Sequence, residues 1–399
     1  MKAQTAVELF ALCDIPGVNL VLHEPVPWPI YDQFGRLLMA HGAILQSENQ
    51  LNILYKVGHL HARDLPKKPG RNLDPVKYDI KANPFIEFDD LCQRLKSVYE
   101  RVYAHKLQED SLIRGIYDIL LSLQGLYAVH HEALLGIVHL GHEYQMLNPV
   151  PYTVVHALRS AIIAECLLQT QNLSREQATL CLAATLTCNL SLYPYQDKLH
   201  QKDQPLSEDQ RRVINQHPQQ SIELLCKNGL DDADWFNIIR LHHYRPDGQG
   251  YPQQLNPGES LPLEAELLAL AQTYTALLTP RAYRPAFSYI KALKYLSEQR
   301  GIQFNDVLAR KLIKTLGRFP AGVFVRLCNT ELAVVIGRTD DPQCPLVASV
   351  IKPDGERFAV PRRRDTRNEE FKVCQVAVLK ESLGVNPSLL WGIEAKRVA

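Results

Sequence analysis

The sequence predicts a mainly α protein, a helical bundle flanked by a small N-terminal α+β lobe and a small C-terminal antiparallel β unit. Three observations carry this expectation. Between residues 85 and 316, apolar positions recur at helical spacing behind marked helix starts, with Ser174 and Gln177, and again Ser207 and Gln210, at the spacing of a capping box. Ahead of that stretch, Pro25, Pro27 and Pro29 lead into an extended segment at residues 30–39. Behind it, after Gly317, β-branched runs alternate with turn residues.

In chain order, residues 1–65 read as the N-terminal lobe. Its extended segment turns at Gly35, and Ser47 with Gln50 reads as a capping box that opens a helix over 50–57, ended by Gly58. Residues 66–84, rich in proline and charge, read as a linker. Residues 85–130 form a helical lead-in and 131–316 the main helical domain. Residues 317–399 form the β-rich unit, with strands expected at 323–327, 332–336 and 346–351, and Arg362-Arg363-Arg364 read as a solvated basic loop.

Composition excludes several classes. With 44 basic against 43 acidic residues the net charge is +1, so no global field recruits nucleic acid or an acidic membrane. No run of about eighteen uncharged apolar residues suggests a membrane span, and the N-terminus lacks the apolar core of a signal peptide. Nine widely spaced cysteines without a C-x-x-C pair suit reduced thiols. A cytoplasmic location is the resulting expectation.

The chemistry concentrates near His242-His243. On a helix capped at Asp231 or Asp232, Trp235, Ile238, Ile239 and His242 share one stripe, which turns His242 inward and leaves His243 one position round beside Ile239 and Phe236. A lone inward histidine is most often a satisfied core residue; an adjacent pair entering the turn Asp247-Gly248-Gln249-Gly250-Tyr251-Pro252 points towards a site. The glycines allow positive φ and close backbone approach.

His-His-x-x-x-Asp-Gly-x-Gly-Tyr-Pro, followed by the apolar helix pattern of 261–271 and by Arg281 and Arg284, resembles the HD-GYP family, the cyclic di-GMP phosphodiesterase branch of the HD superfamily. The likeness runs back through His217-Pro218 and His156 to about residue 130. It implies an HD-type bundle whose two- or three-metal centre makes a hydroxide at neutral pH. By this resemblance His156, His217, His242 and His243 match metal ligands. The segment that should hold the family's His-Asp pair instead reads Thr185-Leu186-Thr187-Cys188-Asn189-Leu190-Ser191. Thr187 replaces the ligand His, Cys188 the bridging Asp and Ser191 the phosphate-facing Lys. Gln272 replaces a ligand Asp, and Tyr152 stands where some members carry a Glu.

Cations about 3.5–4 Å apart need anionic bridges, so the loss of every carboxylate implies no two-metal phosphodiesterase activity and no cofactor required for catalysis. An unrelated carboxylate, Asp197 or Asp203, is the alternative source. Cys188 with His217, His242 and His243 would suit a single structural Zn²⁺, against a reading of Cys188 as a small apolar core residue beside relic histidines. Arg281 and Arg284 match basic residues near the substrate phosphates, or else cap carbonyls. Asp247, Gly248, Gly250, Tyr251 and Pro252 match a surface implicated in docking diguanylate cyclases of the GGDEF type, or else merely shape the loop. The resulting expectation is a catalytically inactive HD-GYP-like protein of cyclic di-GMP signalling, acting by protein contacts or by sensing the nucleotide. A phosphodiesterase with a rebuilt metal centre and a scaffold unrelated to nucleotide signalling are the alternatives.

Overall fold

A computed structural model describes the chain apart from residues 1–8, 13–19, 21, 24, 27, 35, 62–74, 80, 105–108, 145–148, 201–206, 283, 380–381 and 394–399. The expected turn at Gly35, most of the linker and Asp203 lie outside the described residues. The chain forms two compact units, Met1–Gly70 with Gln108–Arg114, and Arg71–Leu107 with Gly115–Ala399.

The first unit holds β1 (Leu9–Ala11), β2 (Ile30–Tyr31), β3 (Leu37–Met39), α1 (Glu48–Val57) and β4 (His59–His61). Its strands form an antiparallel sheet in the order β1-β4-β2-β3. Leu12, Leu20, Val26, Ile30, Leu45, Leu54 and Leu60 make its core. Ser47 caps α1 by accepting the Gln50 amide, so the helix starts at Glu48, two residues earlier than expected. The expected box is half made, because the Gln50 side chain takes the Gln46 amide instead of that of Ser47.

In the second unit Asn83 caps α2 (Pro84–Tyr103), with proline at the first helical position, where its missing N–H costs nothing. The long α3 (Glu109–Leu140), which belongs to this unit from Gly115 onward, departs from helical geometry at His130. Its segment Ser111–Leu140 is long and apolar enough to cross a membrane by length and composition, but most of its apolar stretch is buried inside the protein. Then follow α4 (Tyr152–Leu168), α5 (Arg175–Thr187), α6 (Gln196–His200), α7 (Glu208–Lys227), α8 (Ala233–Leu241), α9 (Leu263–Leu277), α10 (Tyr289–Gln299) and α11 (Asp306–Leu316). Both Ser174 and Ser207 make reciprocal capping boxes. The central α4 is apolar nearly all round and packs against α5 and α9, which together place His156, Cys188 and Gln272 in one neighbourhood.

The C-terminal sheet has five antiparallel strands, β5 (Phe324–Leu327), β6 (Leu332–Gly337), β7 (Leu346–Ile351), β8 (Arg357–Asp365) and β9 (Val373–Val376), in the order β8-β7-β6-β5-β9. The arginine run is not a solvated loop. Arg362, Arg363 and Arg364 pair with Ser349, Ala348 and Val347 of β7, and Arg364 forms a two-pronged pair with Glu331. Ladder bonds to β7, joined to β8 by a five-residue turn, outweigh the polar composition of β8.

Reduced thiols were expected throughout, yet Cys328 and Cys374 form a disulfide. The β5–β9 pairing brings their Cα atoms to 5.5 Å, a closeness that their 46-residue separation hides. The sheet is tied to the bundle by His139, whose ring joins the Ala321 carbonyl and the Tyr274 hydroxyl, and by Glu143, which accepts from Ser382 and the amides of Leu383 and Gly384. The short α12 (Pro387–Trp391) follows, with the Trp391 indole over Gly136.

Gly125 of α3 supplies a test of this packing. A Cβ there would lie 1.7 Å from the Val76 carbonyl oxygen. Gly→Ala inside a helix ordinarily adds about 1 kcal/mol; Gly125→Ala should instead destabilise by about 1–3 kcal/mol, as an overpacked site does. Urea unfolding of both proteins checks this, and a stabilised variant would contradict the packing.

Candidate functional site

His217 sits on α7, where buried Ser221, Ile222 and Leu225 mark the inward face. Pro218 lies inside that helix and has no amide hydrogen for the carbonyl four residues back. That carbonyl belongs to Ile214, and the His217 ring takes the vacant place, Nδ1 to oxygen at 2.6 Å. The end of α8 repeats the device. Asp232 caps the helix, Trp235, Ile238 and Ile239 bury one face, and His242 at the C-cap brings Nδ1 to 2.6 Å from the Ile239 carbonyl. A carbonyl only accepts, so in both rings the proton is on Nδ1 and the lone pair on Nε2.

Those two Nε2 atoms are buried without a hydrogen-bond partner. His243 completes a triad, its ring centroid 4.0 Å from that of His242 and 5.1 Å from that of His217, and one nitrogen from each of the three rings lies within 4.8 Å of the others. Burial keeps all three neutral. It pushes His217 down to about 3 and His242 to about 4, and it lowers His243 strongly, with the neighbouring imidazoles adding to the effect. Three neutral imidazoles, two with the other ring nitrogen bonded to a backbone carbonyl, are the donor set of a divalent metal. Two buried lone pairs without donors cost about 1–3 kcal/mol each, which a bound cation would offset. The residues therefore fit a metal ion.

Cys188 and His156 do not join this set. Cys188 caps the end of α5, and its sulfur accepts from the Gln272 Nε2 at 3.0 Å while its thiol faces the Thr185 carbonyl. Burial pushes that thiol up, so it stays protonated. Of the two readings of Cys188, this geometry favours the small core residue over a fourth ligand beside His217, His242 and His243. Gln272 on α9 satisfies the rest: its Oε1 accepts from Asn189 Nδ2 and from His156 Nε2, both at 2.8 Å. The other replaced positions are equally occupied. Thr187 accepts from the Trp235 indole at 2.9 Å and donates to the Ala183 carbonyl, and Ser191 donates to the His217 carbonyl. Asp197 accepts the Tyr152 amide at the start of α4 and does not enter the triad.

A cavity of about 270 Å³ opens beside the triad, lined by His217, His243 and Tyr251 and by Tyr152, Gln272 and Arg281 among others. Tyr152 stacks on His156 with centroids 5.1 Å apart. The two arginines separate here. Arg281 lines the cavity, whereas Arg284 donates to the Ala276 carbonyl at 3.0 Å and lies over the Phe287 ring, as a helix-end cap does. The glycine-rich loop also divides. Asp247 is paired with Arg245 and accepts the Gln249 amide, Gly248 takes φ +72°, and the Tyr251–Pro252 bond is cis. The Tyr251 ring lies 4.5 Å from the His243 ring and forms part of the cavity wall. Sequence reasoning missed Gln272 as a hub, Asn189 as its donor and Tyr251 as a wall; the His-Pro step could have revealed the fixed His217 proton.

Residues 142–306 match the family described as HD domain. The cyclic di-GMP phosphodiesterase response regulator RpfG of Xanthomonas campestris is 34% identical over 157 residues, covering 39% of this chain and 41% of that protein. The cyclic di-GMP phosphodiesterase PA4108 of Pseudomonas aeruginosa is 26% identical over 249 residues, covering 62% of this chain and 58% of that protein. Among solved structures, Bd1817, a HDG"Y"P protein from Bdellovibrio bacteriovorus, aligns with a TM-score of 0.43 and 15% identity over 77% of this chain and 99% of that one. The chain spans about half the length of these curated relatives.

The depressed histidines predict acid sensitivity. Below pH 6.5 the unfolded chain takes up protons that buried His217 and His242, and His139 at about 4, refuse until pH 3–4. Stability is therefore lost as pH falls through this window, by about 1.4 kcal/mol per histidine per unit. Urea midpoints of chelator-treated protein should fall steeply between pH 6.5 and 4.5; a flat profile would contradict the buried neutral rings.

Proposed function

We propose that the chain, with its HD-GYP-like HD domain, serves cyclic di-GMP signalling without hydrolysing the dinucleotide, holding one divalent cation on His217, His242 and His243. The observation that carries this reading is the donor set: among the described residues no carboxylate joins the triad, and the Gln272 amide fills the adjoining position. Two divalent ions about 4 Å apart repel by roughly 16 kcal/mol at an effective dielectric of 20, and neutral nitrogens and an amide supply no charge against that.

A single cation on imidazoles would supply Lewis acidity at one point. The chain's own residues do the rest. Pro218 and the end of α8 keep the His217 and His242 protons on Nδ1, and Gln272 holds His156 protonated at Nε2 and so withdraws it from ligation. Among the described residues lining the cavity, Arg281 is the charged side chain, and a guanidinium suits phosphate oxygens. This favours sensing of an anionic nucleotide over a centre that activates water between two metals.

Incubation of the full chain with cyclic di-GMP and Mn²⁺ or Fe²⁺ should yield no linear dinucleotide above a protein-free control; sustained metal-dependent turnover would contradict the proposal. In calorimetric titration Arg281→Ala should weaken cyclic di-GMP binding about tenfold or more, the loss of one charge-assisted contact, while Arg284→Ala leaves it unchanged. No affinity in the wild type would restrict the role to protein contacts.

A further inference from the structure

We infer that the triad is a regulatory metal site whose occupancy is read out by the loop at residues 244–252, an inference that rests on the single-cation reading above. His243 is the link. Its ring is one of the three ligands, while its carbonyl accepts the Tyr251 amide at 3.0 Å and its ring faces that of Tyr251. Gly250 is pressed onto the same backbone: a Cβ there would lie 2.2 Å from the His243 oxygen and 2.6 Å from the Arg245 nitrogen.

The remaining bonds of the loop are internal. The Gly248 amide reaches the Arg245 carbonyl, and Asp247 holds Arg245 and the Gln249 amide. Among the described residues, the one hydrogen bond that ties 245–252 to the rest of the fold is that of Tyr251 to His243. The solvent side of the loop carries exposed Pro246, Asp247 and Gln249. Tyr251 anchors the segment through that amide and through its ring, which faces the rings of His243 and His217; fixing the His243 ring on a cation removes conformational freedom from this anchor, so the loop becomes more ordered when the metal binds.

Carboxylate-free nitrogen donors select a borderline cation of the Zn²⁺ class and reject Mg²⁺, which demands oxygen. The two states therefore differ by a zinc-class ion and by the surface presented at 246–249.

Hydrogen exchange of the full chain, measured after chelation and again with Zn²⁺ or Mg²⁺ while calorimetry reports metal binding, tests this directly. Zinc should slow exchange at amides in 244–252 by about tenfold or more relative to the chelated protein, and Mg²⁺ should not. Zinc bound with loop exchange unchanged would overturn the coupling and leave the single-cation reading intact. Failure of zinc to bind the wild type would overturn both. Tyr251→Ala, outside the ligand set, keeps the amide bond but removes the ring contacts with His243 and His217, so it should still bind zinc with the zinc-induced loop protection reduced; full protection in that variant would also overturn the coupling.

Discussion

Two imidazole protons held by backbone carbonyls are the constraint on which the site depends. Pro218 deprives Ile214 of its helical partner, and the end of α8 leaves the Ile239 carbonyl open; His217 and His242 fill these places through Nδ1. Both Nε2 lone pairs are thereby turned into one buried space, where His243 meets them. Desolvation keeps the rings neutral, and neutrality is the state in which imidazole ligates. The fold thus preorganises three donors without any charge of its own.

The adjoining region is organised by the opposite means. Gln272 accepts from His156 and Asn189 and donates to Cys188, so polar groups that could attend a second cation are satisfied by one another. The Trp235 indole does the same for Thr187. A satisfied neutral network in a buried place is stable as it stands, whereas an unpaired group there would be costly. The contrast between open lone pairs at the triad and closed bonds at Gln272 makes the site asymmetric. Arg281 and the Tyr251 wall then face the cavity beside the triad.

Local signals in the sequence mapped well onto local structure. The Ser174 and Ser207 boxes, the Asp232 cap, the inward stripe ending at His242 and the three β-branched strands all follow from spacing of a few residues. What escaped had two causes. β8 carries too much charge to read as a strand by composition, although only a five-residue turn joins it to β7, and the Cys328–Cys374 pair needs the non-local β5–β9 register. Cys188 stayed open between ligand and core residue because its partner Gln272 is 84 residues away. Arg281 and Arg284 are three residues apart yet have different surroundings, one on the cavity and one on a helix end.

Anomalous diffraction from crystals grown with a zinc-class metal tests the central claim most directly. The account predicts a single anomalous peak within bonding distance of His217, His242 and His243, with the Gln272 amide still bonded to His156 and Asn189. A second peak beside His156 and Gln272, at the separation of a two-metal centre, would contradict it.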